Sequence, residues 1–259
     1  MAWEKSVGVE KTFTMRRRPL VSIQTQSVKV PPVSMATRRG WERRGMELIR
    51  KIRVTFAAMR YAFLVETYAT ERVKVVSVWS EFRDEDLPVR PREGDPRGRG
   101  VHEQMVHQCV SEDLWFRNML GIDVGAPPLP KQEMRLEFMK RYAEDSGKRL
   151  AALQKRDEAW WEESVKFFDV QRLRTWVMTR RMTHTSHHRG QLMAMLRMLG
   201  HELHSNYGPT ADTGGLMQNH APTIYAYPSL EALLVGEGAG GKKAKLPGSR
   251  GKVVTERAG

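Results

Sequence analysis

One segment in the C-terminal half of the chain constrains the fold most. Apolar side chains recur at helical spacing through residues 172–199, with Leu192, Met195 and Leu199 on one face. Gly200 follows directly, and glycine is the residue that most often ends a helix. The pattern predicts one long helix that presents an apolar face to the rest of the protein.

Other parts of the chain repeat this helical pattern. Three further segments have helical apolar spacing, at residues 55–82, 101–120 and 131–155. The stretch 84–99 is rich in proline, glycine and charge and is predicted to be a loop, whereas residues 156–171 are a connector or a helix extension. A short helix is expected at 229–235. Four long helices with short or medium connections predict an all-α four-helix bundle, in which sites form between facing helices.

The charge distribution separates the ends of the chain from its centre. The 259 residues carry a net charge of +13. Residues 1–55 hold 13 Lys and Arg against 4 Asp and Glu, and residues 236–259 hold 6 against 2. We therefore expect residues 1–54 to be a flexible basic arm or an over-extended start. Residues 55–235 are expected to form the helical domain, and residues 236–259 a disordered basic tail.

Cysteine content and hydropathy indicate where the protein works. Cys109 is the only cysteine, so an intramolecular disulfide is excluded and a reducing compartment is indicated. No run of about 18 apolar residues is present, so no transmembrane helix is predicted. These features favour a cytoplasmic protein.

A histidine pair marks the candidate site. His184 and His188 are four residues apart in the long helix, which places both rings on one helical face, where they can bind one metal ion. His107 lies in the second predicted helix and could supply a third ligand. A zinc protease of the H-E-x-x-H class has a glutamate directly after its first histidine. Thr185 occupies that position here, which excludes this class.

Two motifs resemble those of the DinB-like (YfiT-like) metalloenzyme family. The first is the H-R-G-Q run of residues 188–191, and the second is the V-H-E-Q-M-V-H run of residues 101–107. The resemblance extends over about residues 59–234. In that family one histidine of the second helix and two of the last helix bind a divalent metal. By resemblance, the matching ligands in this chain are His107, His184 and His188.

The resemblance also implies a function. Members of the family are associated with metal-dependent transfer involving a low-molecular-weight thiol, and others with hydrolysis. It implies a small-molecule substrate and a divalent cofactor (zinc, nickel, manganese or iron), because imidazole suits several metals. Two alternatives stay open: the basic ends could bind nucleic acid or an acidic partner, or the helical domain could have no activity. A second copy of the chain is a further candidate partner.

Neighbouring histidines compete for the ligand assignment. His102 lies five residues before His107, about 140° away around the helix, so the two are not expected to share an ion. His187 lies about 100° from His188 and is expected at the edge of the face. The remaining histidines, in the segment that follows Gly200, are expected at the surface: His201, His204 and His220.

Other residues near the motifs have two interpretations each. Glu103 could accept a hydrogen bond from the His107 ring, or it could be a solvated charge. Arg189 could bind an anionic group of a substrate, or lie at the surface. Gly190 is expected where two helices approach closely, and Cys109 is expected in the core.

Overall fold

The computed structural model describes residues 60–249 and is mostly helical. Its helices are α1 (Ala62–Ser80), α2 (Val101–Asn118), α3 (Arg135–Leu153), α4 (Glu158–Glu162), α5 (Arg174–Met198) and α6 (Leu230–Gly238). Two short strands, β1 (Ser164–Phe167) and β2 (Val170–Leu173), lie between α4 and α5. The all-α prediction is confirmed. No helix within the described range 60–249 is both long and apolar enough to cross a membrane.

The four long helices bury two apolar clusters. Helix α1 packs against α3 and α5, and α2 also contacts both α3 and α5. The first cluster includes Trp79, Met105, Phe138 and Leu196. The second cluster includes Tyr68, Phe116, Leu153 and Val177. Each long helix contributes one part of its apolar face to each cluster, so its middle turns lie between the two.

Polar side chains fill the layer between the two apolar clusters. Glu112 on α2 is fully buried and accepts hydrogen bonds from the hydroxyl groups of Tyr68, at 2.7 Å, and Tyr142, at 2.8 Å. The guanidinium groups of Arg149 and Arg181 lie 3.4 and 3.8 Å from its carboxylate. A buried carboxylate is tolerated only when donors and opposite charges surround it, as they do here. We call this group of five residues the Glu112 network.

The end of α5 follows the glycine signal in the sequence. Gly200 has a φ of +73°, in the left-handed region that side chains other than glycine rarely adopt. The His201 amide donates to the carbonyl of Leu196 at 3.0 Å, and the Gly200 amide donates to that of Arg197 at 3.1 Å. This pairing terminates the helix by satisfying its last carbonyls. The predicted end of the long helix is confirmed.

The segment predicted as a connector or helix extension is more structured than expected. Residues 156–171 contain α4 and β1 and enter β2, and the two strands pair antiparallel with Phe167 opposite Val170. The turn is made by Phe168 and Asp169, and Phe168 has a φ of +53°. This pair lacks the Asn-Gly or Asp-Gly signal typical of two-residue hairpin turns. Nothing in the local sequence therefore indicates a hairpin.

The predicted boundary at residue 235 falls inside α6, which continues to Gly238. Glu237 is buried, where it accepts a hydrogen bond from the Tyr227 hydroxyl and pairs with Arg135 at 2.6 Å. The Ala244 amide donates to the carbonyl of Ala226. These contacts hold the first part of the expected tail against the helices. The remainder of the tail, from residue 250, and the expected basic arm (1–54) lie outside the described residues.

Candidate metal centre

Three histidine rings converge between α2 and α5. His107 projects from α2, and His184 and His188 project from successive turns of α5, which faces α2. The Nε2 atom of His184 lies 3.4 Å from that of His107 and 3.1 Å from that of His188. One nitrogen from each ring lies within 4.8 Å of the others. The structure therefore brings together the three histidines that the sequence suggested.

These separations match the donor spacing of a metal site. Two nitrogens bound to one zinc ion at about 2.0–2.1 Å, with tetrahedral angles, are about 3.3–3.4 Å apart. Three converging ring nitrogens cannot all pair by hydrogen bonding, because each presents either one N–H group or one lone pair and at least two of the three therefore present the same group. A cation placed among them removes that conflict. The donor set is neutral, and imidazole suits zinc, nickel, copper and iron.

The surroundings keep the three rings uncharged at neutral pH. Burial, together with the positive charges of Arg99 and Arg181, lowers the pKa of His107 to about 4. Burial and Arg181 lower the pKa of His184 to about 3, and burial with the nearby rings lowers that of His188 to about 4. A neutral imidazole has a free lone pair, which is the form that binds metals.

Two glutamines orient the His188 ring. Its Nδ1–H group donates to Oε1 of Gln104 at 2.8 Å and to Oε1 of Gln191 at 3.1 Å. The amide of Gln104 also donates to Gln191 at 2.8 Å, so the two glutamines support each other. A proton held on Nδ1 leaves Nε2 with its lone pair directed at the other two histidines. Outer partners of this kind fix the orientation of a ligand and raise its basicity.

Aromatic packing positions the other two rings. Trp115 on α2 stacks against His184, with ring centres 5.7 Å apart and planes 21° apart. The His107 ring meets the His184 and His188 rings edge-to-face, at 5.3 and 4.5 Å between centres. Nδ1 of His184 is buried and has no hydrogen-bond partner within residues 60–249. Packing rather than hydrogen bonding therefore restrains the His184 ring.

The two rival histidines lie outside the centre. His102 binds the carboxylate of Glu133 at 2.6 Å and packs edge-to-face on Phe138. His187 is exposed and accepts a hydrogen bond from the Gln191 amide at 3.0 Å. Helix geometry alone predicts that both residues point away from the candidate ligands, and the structure places both of them outside the centre.

Two of the histidines expected at the surface are not there. His204 is buried, where it contacts Glu81 at 3.0 Å through Nδ1 and donates to the Ala244 carbonyl at 2.7 Å through Nε2. His201 is partly buried and contacts Asp86 at 2.8 Å. Both expectations were wrong because their carboxylate partners lie more than 100 residues away in sequence. His220 is exposed, as expected.

Arg189 is neither a surface residue nor a free anion-binding group. Its side chain is 2% exposed, pairs with the Glu71 carboxylate and lies against the Tyr207 ring. Lys74 contacts the same carboxylate at 3.0 Å. Burial alone would raise the pKa of Glu71, but the hydrogen bonds from Arg189 and Lys74 outweigh it and lower this pKa. Arg189 therefore links α5 to α1.

Three further expectations have definite outcomes. The Glu103 carboxylate caps α2 by accepting from the Gly100 amide at 2.8 Å, and it pairs with Arg90. Glu103 thus has a structural role that the sequence did not suggest. The close approach expected at Gly190 was wrong, because, apart from its chain neighbours and the backbone of its own helix, no described residue lies within 4 Å of the position that its Cβ would occupy. Cys109 is buried in the core, as expected, and burial raises its pKa.

The roles of Gln104 and Gln191 were not predicted from the sequence, although a signal was present for both. Gln191 lies three residues after His188, and Gln104 lies three residues before His107, so each shares a helical face with a candidate ligand. Only the packing of α2 on α5 shows that both side chains meet at the same ring.

Comparisons with known proteins agree with the sequence motifs. The sequence model of the DinB family matches residues 59–215. A DinB-like protein from Bacillus cereus ATCC 10987 is 16% identical, covering 54% of this chain and 92% of its own, with a TM-score of 0.47. A DinB-like protein from Bacillus subtilis is 15% identical, with the same coverages and a TM-score of 0.43. A comparison with curated proteins found no match.

Proposed function

Since the chain belongs to the DinB family, we propose that it is a divalent-metal-dependent enzyme whose ion is bound by His107, His184 and His188. The convergence of their Nε2 atoms, 3.1 and 3.4 Å apart, is the observation that carries this proposal. Three protein ligands leave at least one coordination position for an outside molecule, which is the arrangement of a catalytic rather than a structural site.

The proposed reaction is transfer involving a low-molecular-weight thiol. A divalent ion with only neutral ligands keeps its full charge, and it would supply Lewis acidity that lowers the pKa of a thiol or of water. His188, held by Gln104 and Gln191, provides a fixed donor direction. Trp115 covers one face of His184 and limits the access of water from that side.

Hydrolysis is the second candidate, and the charges near the centre favour thiol transfer over it. A hydrolase of this kind commonly uses a carboxylate as general base. Glu103 and Glu133 are the carboxylates of the groove beside His107, and each is already paired, with Arg90 and His102 respectively. A thiol with a lowered pKa ionises without such a base.

Elemental analysis of the purified full chain tests the metal assignment. We expect about one ion per chain in the wild-type protein. The His184→Ala, His188→Ala double variant should lose most of it, and His107→Ala should do the same from the other helix. His187→Ala is the matched control and should retain the ion. Full occupancy in the double variant would show that the ion binds elsewhere.

Cobalt substitution tests the thiol reaction. Titration of the cobalt-loaded protein with a small thiol should produce a sulfur-to-cobalt charge-transfer absorption that is absent from His184→Ala, His188→Ala. If the cobalt-loaded protein does not show this absorption, the thiol proposal is contradicted and the metal assignment stands.

Nucleic-acid binding by the basic ends stays a prediction. Measurements of salt-dependent DNA binding, with and without residues 1–55, can test it.

A further inference from the structure

Two surface grooves adjoin the histidine centre. The first, the His107 groove, has a volume of about 420 Å³ and contains His107 in its wall. The second, the Gln191 groove, has a volume of about 300 Å³ and is lined by Gln104 and Gln191, the partners of His188. Arg99, two residues before the start of α2, lines both grooves. A ligand bound in either groove can therefore contact this side chain.

The acidic side chains of the His107 groove are already engaged. Glu103 pairs with Arg90 and caps the first turn of α2. Glu133 contacts His102 at 2.6 Å. Neither carboxylate is therefore available to pair with Arg99 without breaking a contact that it already makes.

Arg99 differs from the other arginine of these grooves. Arg97 lines the Gln191 groove but donates two side-chain hydrogen bonds to Asp95, at 2.9 and 2.6 Å. Arg99 is exposed and has no hydrogen bond or ion pair with any residue of the described range 60–249. Arg99 and His107 line the same groove, so the unpaired guanidinium group lies beside the histidine centre.

We propose that Arg99 binds the carboxylate of an acidic substrate whose reactive atom occupies the histidine centre. The inference rests on the proposed function and adds to it the chemical class of the substrate: a small thiol that also carries a carboxylate. A guanidinium group presents a planar fork of N–H donors that matches a carboxylate. Arg99 is thus a specificity-determining residue rather than a catalytic one.

A pair of matched thiols tests this assignment. The cobalt-loaded protein is titrated with 3-mercaptopropionate and with 3-mercaptopropanol, which lacks the negative charge, and the charge-transfer absorption gives each Kd. We expect the acid to bind about fivefold more tightly at low ionic strength, as for an exposed ion pair. The preference should shrink in about 0.5 M salt, because the ions screen exposed charges.

Variants at Arg99 locate the effect. Arg99→Gln should bind both thiols equally, and Arg99→Lys should keep part of the preference for the acid. Arg92→Gln is the matched control, because Arg92 is exposed in the same loop but lines neither groove. All three variants should retain wild-type cobalt content. Equal binding of the two thiols by the wild-type protein would overturn the role of Arg99 and leave the proposed thiol chemistry standing.

If neither thiol produces the charge-transfer absorption, a measurement that needs no thiol tests whether Arg99 binds a carboxylate. The ¹⁵Nε resonance of Arg99, identified by its loss in Arg99→Gln, is followed during titration with propionate and with propanol. A saturable shift with propionate alone supports the carboxylate site. No shift, or the same shift with both molecules, contradicts it, whether or not the metal assignment holds.

Discussion

Replacing Gln104 with alanine should weaken metal binding without removing any ligand. Gln104 Oε1 accepts the hydrogen bond from His188 Nδ1 at 2.8 Å, and this bond directs Nε2 of that ring towards the other two histidines. Without it, the ring is freer to rotate or to move its proton to Nε2. Either change leaves the Nε2 lone pair of His188 unavailable to the metal in a fraction of the molecules.

The remaining contacts set the size of the effect. Loss of one hydrogen bond costs about 0.5–1.5 kcal/mol, and changes to the partners of metal ligands weaken affinity by about 10- to 100-fold. Gln191 Oε1 lies 3.1 Å from the same Nδ1 atom and still accepts from it in the single variant. We therefore expect about a tenfold loss of affinity for Gln104→Ala and about a hundredfold loss for the Gln104→Ala, Gln191→Ala double variant.

Competition with a chromophoric zinc chelator measures these affinities. His102→Ala is the matched control, because it removes a ring from the same helix but outside the centre. Thermal melting of the metal-free variants checks that the buried Gln104 site still folds. If the double variant binds zinc within about twofold of the wild-type protein, the glutamines do not orient His188 and the reasoning fails.

Two further predictions concern stability. Arg189→Leu leaves the buried Glu71 with only Lys74 as a charged partner and should lower the free energy of unfolding in urea by about 3 kcal/mol, whereas Glu71→Leu, Arg189→Leu should recover most of it. Burial opposes the charge of His204, but its contact with Glu81 and its bond to a backbone carbonyl outweigh burial and raise its pKa. Protonated His204 should therefore add stability that is fully present below about pH 6.5 and is lost as the pH rises through the folded-state pKa. His204→Gln should flatten this dependence in urea titrations across pH; an unchanged slope would contradict it.

The sequence predicted the helices and the pair of His184 and His188 because both depend on local spacing, whereas His107 was assigned by the resemblance of its motif to the family. A repeat of 3.6 residues places His184 and His188 on one face, and the same repeat separates His187 from them. Gly200 marked the end of α5 for an equally local reason. Features that a single helix determines by itself can therefore be predicted from the spacing of its residues.

Features that depend on distant partners cannot be predicted in this way. The sequence around Arg189 offers no sign of Glu71, which is 118 residues away, and His204 meets Glu81 across 123 residues. The hairpin was missed for a different reason, since its turn at Phe168 lacks the usual turn residues. Arg189 was therefore left between an anion-binding and a surface role, and His204 was placed at the surface, although both contact carboxylates of distant segments.

The polar layer between the two apolar clusters explains how the fold positions the three histidines without help from a metal ion. The hydrogen bonds and opposite charges of the Glu112 network are all supplied by protein side chains. The network therefore links α1, α2, α3 and α5 within this layer without a metal ion. The apolar clusters on either side supply most of the burial that holds the same helices together. His107, His184 and His188 are then positioned by a folded scaffold rather than by the ion. For the proposed metal binding, three preformed histidines with low pKa values favour rapid and tight capture of an ion, because binding requires neither folding nor the release of a proton from the rings.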